Sequence, residues 1–175
     1  MSRNAVIPAD RKPEFINSAG KMVSIGEVIT VLRGVSYKKE QVRSSPSPGY
    51  IPILRATNIQ ESLNFNDLVY APRDNISSEQ MLRVGDIVMA ASSGSKHIVG
   101  KAALLKTDWK GSFGTFCYGL RPNQNVEPRY IAYFLQTSEY RHAISELSAG
   151  VNINNLGHPG LVWVISSPLS SVKAL

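Results

Sequence analysis

A chain of 175 residues, 43% hydrophobic and 18% charged, is long enough to bury one core and too short for two ordinary domains; this composition excludes a disordered, coiled-coil or collagen-like polymer. A single cysteine, Cys117, allows no internal disulfide and no cysteine-type zinc site, which fits a cytoplasmic setting. The formal charge of +6 is concentrated in residues 33–43 and 96–110, each with four basic side chains against one acid. Such windows make a polyanion-binding face if the fold joins them, and two solvated loops if it does not.

Residues 1–20 contain Pro8 and Pro13, show no periodicity and carry no apolar stretch of signal-peptide length, so they are expected to form a tail or extended arm. No later run approaches the roughly 18 apolar residues of a membrane span, and neither secretion nor membrane insertion is expected. From Met22, apolar residues at 22, 25, 28, 29 and 32 and a possible capping box at Ser24 and Glu27 predict a short helix stopped by Gly34. The basic stretch after Gly34 runs into Ser-Ser-Pro-Ser-Pro-Gly at 44–49, an exposed loop. Apolar and β-branched runs at 51–55, 68–70, 86–89, 99–105 and 113–120, separated by turn signals, predict strands.

Glu127-Pro128 opens a helix that carries Tyr130, Ile131, Phe134 and Leu135 on one face, and 138–148 predicts a second. Residues 161–165 read as a buried strand. The whole is an α/β (α+β) single domain, with a curved mixed or antiparallel β core and a few flanking helices.

Catalytic machinery is missing from this pattern. The segment from Gly94 to Ala102 resembles a phosphate-binding loop, but it has five residues between its glycines where four are needed, and Ala102 replaces the magnesium-binding hydroxyl. His97, His142 and His158 fall in separate elements and match no ligand spacing, so no metal and no cofactor is expected; His97 alone lies in a basic loop. Neither a dinucleotide fingerprint nor a nucleophile elbow occurs. Cys117 reads as a core residue.

Two loops remain. Ala91 to His97 follows a strand with small hydroxyls, a glycine and Lys96, a set that permits close backbone approach and phosphate binding. Arg55-Ala56-Thr57-Asn58 follows another strand, and Arg and Asn are suited to guanine and adenine edges as well as to turns.

Seven blocks occur in serial order. They are R-G-V-S-Y-K-K-E (33–40), I-P-I-L-R-A-T-N-I (51–59), G-D-I-V-M-A-A-S-S-G-S-K (85–96), V-G-K-A (99–102), G-S-F-G-T-F-C-Y-G-L-R-P (111–122), Y-I-A-Y-F-L-Q-T (130–137) and S-A-G-V-N-I-N-N (148–155). Together they resemble the N-terminal target recognition domain of the DNA specificity subunit of type I restriction-modification systems. The resemblance covers about residues 22–168. It implies a non-catalytic reader of one half of a split double-stranded DNA target, which positions an S-adenosylmethionine-dependent adenine methyltransferase subunit and an ATP-driven restriction subunit.

It further implies a recognition domain over 21–168. The family's proline-rich I-P-x-P-P-L-x-E-Q stretch is replaced here by residues 165–172, so 169–175 is expected to be a truncated end where a spacer helix would begin. The DNA-facing positions it implies are Arg33, Ser36, Tyr37, Lys38, Lys39 and Arg43 in the first loop, and Ser92, Ser93, Ser95, Lys96, His97 and Lys101 in the second. Lys106 joins these as a phosphate neutraliser. Arg55, Thr57 and Asn58 are placed there too, although Arg55 and Asn58 equally suit a loop brace, and Asn152, Asn154 and Asn155 read as turn residues. The rival readings are a catalytic nuclease or methyltransferase, and a general RNA-binding or protein-interaction domain.

Overall fold

The structure, a computed structural model, describes residues 15–16, 22–23, 25–95, 97–124 and 126–149. The expected arm apart from 15–16, Ser24 of the capping box, Lys96, the strand at 161–165, His158 and the asparagines after Gly150 lie outside the described residues.

A two-residue pair, β1 (Phe15–Ile16) and β2 (Met22–Val23), precedes one helical turn, α1 (Ile25–Val28). The expectation of one helix over 22–32 is corrected here, because Ile29–Arg33 is a strand, β3. Ile25 and Val28 do bury themselves as the helical spacing requires. The next residues, Ile29-Thr30-Val31, are β-branched and would crowd a helix, whereas a long partner strand pairs five positions in a row, Ile29 to Arg33.

Four strands then form an antiparallel sheet in the order β3-β9-β6-β7, with β6 at Ile87–Ala90, β7 at Ala102–Leu104 and β9 at Cys117–Pro122. A second, three-stranded sheet has the order β5-β4-β8, with β4 at Tyr50–Leu54, β5 at Val69–Pro72 and β8 at Ser112–Phe113. β4 pairs antiparallel with β5 and parallel with β8, so this sheet is mixed. Two expected strands are shorter than read. The run 99–105 begins only at Ala102, because Gly100 turns the chain at φ 75°, and 113–120 is cut in two by a turn at 114–116.

The core has layers. On one face of the four-stranded sheet, Ile87, Met89 and Leu120 pack against Ile131 and Phe134 of α2 (Pro128–Phe134) and Tyr140 and Ile144 of α3 (Ser138–Ala149). On the other face Val88, Ala90 and Cys117 meet Leu54 and Phe113 of the second sheet. β6 is therefore buried on both sides, which explains its unbroken apolar sequence. A third cluster, Val35, Ile53, Ala71 and Ile76, is covered by Tyr37 and Val42 from the basic segment after β3.

α2 starts as its sequence demands, with proline in the first turn and the Glu127 carboxylate accepting from the Arg129 amide. One buried ion pair ties the sheet down: the Asp86 carboxylate accepts from Arg121 Nε at 2.8 Å and Nη2 at 2.7 Å. No helix among the described residues is long and apolar enough to cross a membrane.

Candidate nucleic-acid interface

Strand direction decides which loops meet. In the order β3-β9-β6-β7 every neighbour is antiparallel, so the ends of β3 and β6 and the starts of β9 and β7 lie at one end of the sheet. The register agrees: Arg33 faces Tyr118, Ala90 faces Cys117 and Met89 faces Ala102. The first basic segment leaves from that end after Arg33, and the 91–101 loop joins β6 to β7 there.

The turn at 114–116 stitches the two together. Val35 donates its amide to the Phe113 carbonyl at 2.8 Å and bridges Gly114, and the Thr115 hydroxyl donates to the Val35 carbonyl at 2.9 Å. On the other side, the Phe116 carbonyl accepts from the amides of both Ala91, at 2.8 Å, and Ser92, at 3.1 Å. Backbones pass so closely that a Cβ on Gly34 would fall 1.9 Å from the Gly114 oxygen, which requires glycine at 34.

Within the first segment Arg33, Ser36, Lys38 and Lys39 are exposed, while Tyr37 is half-buried against Gly114. Burial pushes the Tyr37 phenol above its ordinary range, partly offset by the Arg55 guanidinium. Tyr37 thus anchors its loop. Lys38, Glu40 and Gln41 belong to a single helical turn closed by the Lys38 amide on Gln41 Oε1 at 2.9 Å. The segment crosses the second sheet from the β8 side to the outer edge of β5, where Arg43 and Tyr70 exchange backbone hydrogen bonds. At that far edge the Arg43 guanidinium lies 4.4 Å over the Tyr50 ring and donates to Ser47 at 2.7 Å, so the structure does not bring it to the second loop.

In the second loop Ser92, Ser93 and Ser95 are half-exposed and His97 is exposed. Helix α3 holds this loop from behind. Arg141 donates to the carbonyls of His97 and Val99, both at 3.0 Å, and the buried Tyr140 hydroxyl donates to that of Gly100 at 3.2 Å. Lys101 Nζ donates to Gln60 Oε1 at 3.1 Å, which links this loop to the segment following Asn58. Lys106 comes after β7 and so stands at the opposite end of the sheet, beside Glu61, Tyr133 and Gln136.

Asn58 is a brace. It is 3% exposed, its Oδ1 accepts from the Arg55 amide at 2.9 Å and its Nδ2 donates to the Asn66 carbonyl at 2.8 Å. Arg55 likewise donates through Nη2 to the Asp67 carbonyl at 2.5 Å, whereas Thr57 is exposed. Among the described residues no group of three or more His, Cys, Asp or Glu is placed to hold a metal ion. The reading of the sequence missed Thr115, Phe116 and Arg141. The first two were assigned to a continuous strand, and the third has no signal in sequence, because the carbonyls it holds lie more than forty residues away.

The layered arrangement of a four-stranded and a three-stranded sheet with flanking helices is the fold of type I restriction-modification specificity subunits. It matches the S subunit of a type I system from M. genitalium with a TM-score of 0.51, 16% identity and coverage of 79% of this chain and 31% of that one. A structure from work on assembly and conformational transition of the type I R-M system matches with a TM-score of 0.54 at 17% identity, over 79% of this chain and 31% of the other. In sequence the chain is 44% identical over 149 residues to the type I restriction enzyme StySPI specificity subunit of Salmonella potsdam, covering 85% of this chain and 32% of that subunit. It is 43% identical over 159 residues to the EcoKI specificity subunit of Escherichia coli (strain K12), covering 87% and 34%. No family model matches. The chain is a homologue of type I restriction enzyme specificity subunits, and spans about a third of the length of the relatives it matches.

Proposed function

We propose that this chain is a non-catalytic module that reads one half of a split target in double-stranded DNA for a type I restriction-modification complex, with residues 21–168 as the recognition domain. The observation that carries this reading is the convergence, at one end of the four-stranded sheet, of two loops bearing hydroxyl and basic side chains on either side of a rigid turn. Phosphate attraction there comes from Arg33, Lys38, Lys39 and Lys101, and base-edge chemistry from Ser36, Ser92, Ser93, Ser95 and His97. Lys96 falls between Ser95 and His97 in the chain and belongs to the same proposal. Thr57 and Arg43 lie at the margins, Lys106 stands at the other end of the sheet, and Arg55, Asn58 and Tyr37 hold the loops in place.

The partners are an adenine methyltransferase subunit and a restriction subunit in the assembled enzyme, and the setting is the cytoplasm. A single half-site reader lacks the linked second contact that raises effective concentration, so its affinity is on the order of micromolar at physiological salt. The test is selection of bound duplexes from a random library at fixed salt, with RNA of matched length as competitor. Enrichment of a short duplex motif supports the reading. Equal retention of RNA and of all duplexes refutes it in favour of general polyanion binding.

A further inference from the structure

Phe116 is an exposed aromatic that neither basic window includes. Its side chain is 65% exposed, between Phe113 and Cys117, which are buried at 0% and 1%. Isolated apolar side chains on surfaces are ordinary, and Val84 is such a case. Phe116 differs in how it is held and in what surrounds it.

Its carbonyl accepts two amide donors from the second loop, the Cys117 amide closes the turn on the Gly114 carbonyl at 2.9 Å, and Thr115 is tied to the first loop through Val35. The backbone that carries the ring is pinned from both sides, so little conformational freedom remains to be lost on binding. Phe65, also exposed, stacks with Trp109 at 5.0 Å between ring centroids, whereas Phe116 has no ring partner among the described residues. It stands between the loop of Ser92 and that of Ser36, within the face proposed above for DNA.

We propose that Phe116, with the exposed Thr115 beside it, is a base-reading position that packs against the C5-methyl group of thymine in the major groove. The inference rests on the DNA-reading function proposed above. A duplex offers a rim of phosphates for lysines, polar edges for hydroxyls, and one apolar feature, the thymine methyl, for which Phe and Thr are suitable partners. An apolar wedge driven between base pairs is the other use of such a ring. A three-residue turn tethered on both flanks favours contact with a groove edge, because insertion needs a projecting segment free to follow the distorted duplex.

The experiment uses the whole 175-residue chain and the duplex enriched from the random library, in versions where each thymine in turn is replaced by deoxyuracil, which lacks only the methyl. Wild-type protein is expected to lose about fourfold in affinity at one or two of these positions, the effect of one buried methyl group. Phe116→Ala is expected to weaken binding to the thymine duplex by a similar factor or more and to erase the difference between thymine and deoxyuracil, and Phe116→Leu is expected to keep part of it. Lys101→Ala should weaken both duplexes alike and keep their ratio. Unchanged discrimination in Phe116→Ala, with an unaltered melting temperature, overturns the inference while leaving DNA reading intact. A wild-type chain that enriches no duplex at all overturns the underlying function, and with it this position.

Discussion

The Asp86–Arg121 pair is where a single substitution should cost most. Asp86 is 2% exposed and uses both carboxylate oxygens on the Arg121 guanidinium, and Oδ2 also accepts from the Arg83 amide at 2.8 Å. Arg121 is held further by the carbonyls of Met81, at 2.9 Å, and Glu79, at 3.2 Å, and its hydrogen bond to Asp86 raises its pKa above the ordinary arginine value. One pair of side chains thus joins β9, the turn before β6 and the 79–83 segment. Removing one member of a buried pair leaves the other charge uncompensated, at about 3–5 kcal/mol. Arg121 is 18% exposed on its side chain and keeps two carbonyl partners, so Asp86→Ala belongs at the lower end, about 3 kcal/mol.

For a chain of this size that lowers the melting temperature by roughly 6–12 °C. Arg121→Met should cost more, because the 2% exposed Asp86 then keeps only the Arg83 amide and the Glu79 and Met81 carbonyls lose their donor, and the double variant should be less destabilised than the two single losses added together. The assay is urea unfolding of all four proteins followed by circular dichroism. An Asp86→Ala loss below about 1 kcal/mol, or strict additivity in the cycle, would refute the argument that this pair is a buried, mutually dependent tie. Because the pair lies at the end of the sheet away from the converging loops, duplex affinity of the folded Asp86→Ala protein should match wild type.

Gly100→Ala combines a positive φ of 75° with a Cβ placed 2.5 Å from Ile144, and is expected to destabilise by about 2–3 kcal/mol; a wild-type melting curve would count against the packing of α3 on the loop. Lys101→Ala should reduce the slope of log K against log salt by about one, while Lys106→Ala, at the other end of the sheet, should leave it nearly unchanged; equal slopes in titrations at several salt concentrations would remove the distinction between the two ends. Cys117 is buried and its thiol is pushed up to about 12, so native protein at pH 8 should react with a thiol reagent at least about a hundredfold more slowly than urea-unfolded protein. Because that pKa is raised on folding, the thiol's contribution to stability is complete below about pH 9 and is lost as pH rises toward 12, which unfolding curves across that range will register.

Much of this protein is written locally. The unbroken apolar run of β6, proline opening α2, the spacing of Tyr140 and Ile144 on α3 and the loop nature of 44–49 all follow from side-chain volume, backbone freedom and period, which neighbouring residues determine among themselves. The absence of a phosphate loop or histidine ligand spacing is equally legible, as are the seven ordered blocks that announced the relatives.

The pairing partners were not legible. The 22–32 stretch carries a helical spacing and a β-branched run at once, and β9, some ninety residues later in the chain, decided in favour of strand by offering five paired positions to Ile29–Arg33. The joining of the first loop to the second depends on strand directions in one sheet, and the distance of Lys106 from Lys101 depends on β7 running between them. The exposure of Phe116 has the same origin: its composition reads as strand, but Gly114 must pass against Gly34 and Val35, so the chain turns there and the ring is left outside. Local chemistry selects which segments can be strands or loops; only long-range hydrogen bonding and close backbone packing select which of them meet, and the candidate interface is made of such meetings.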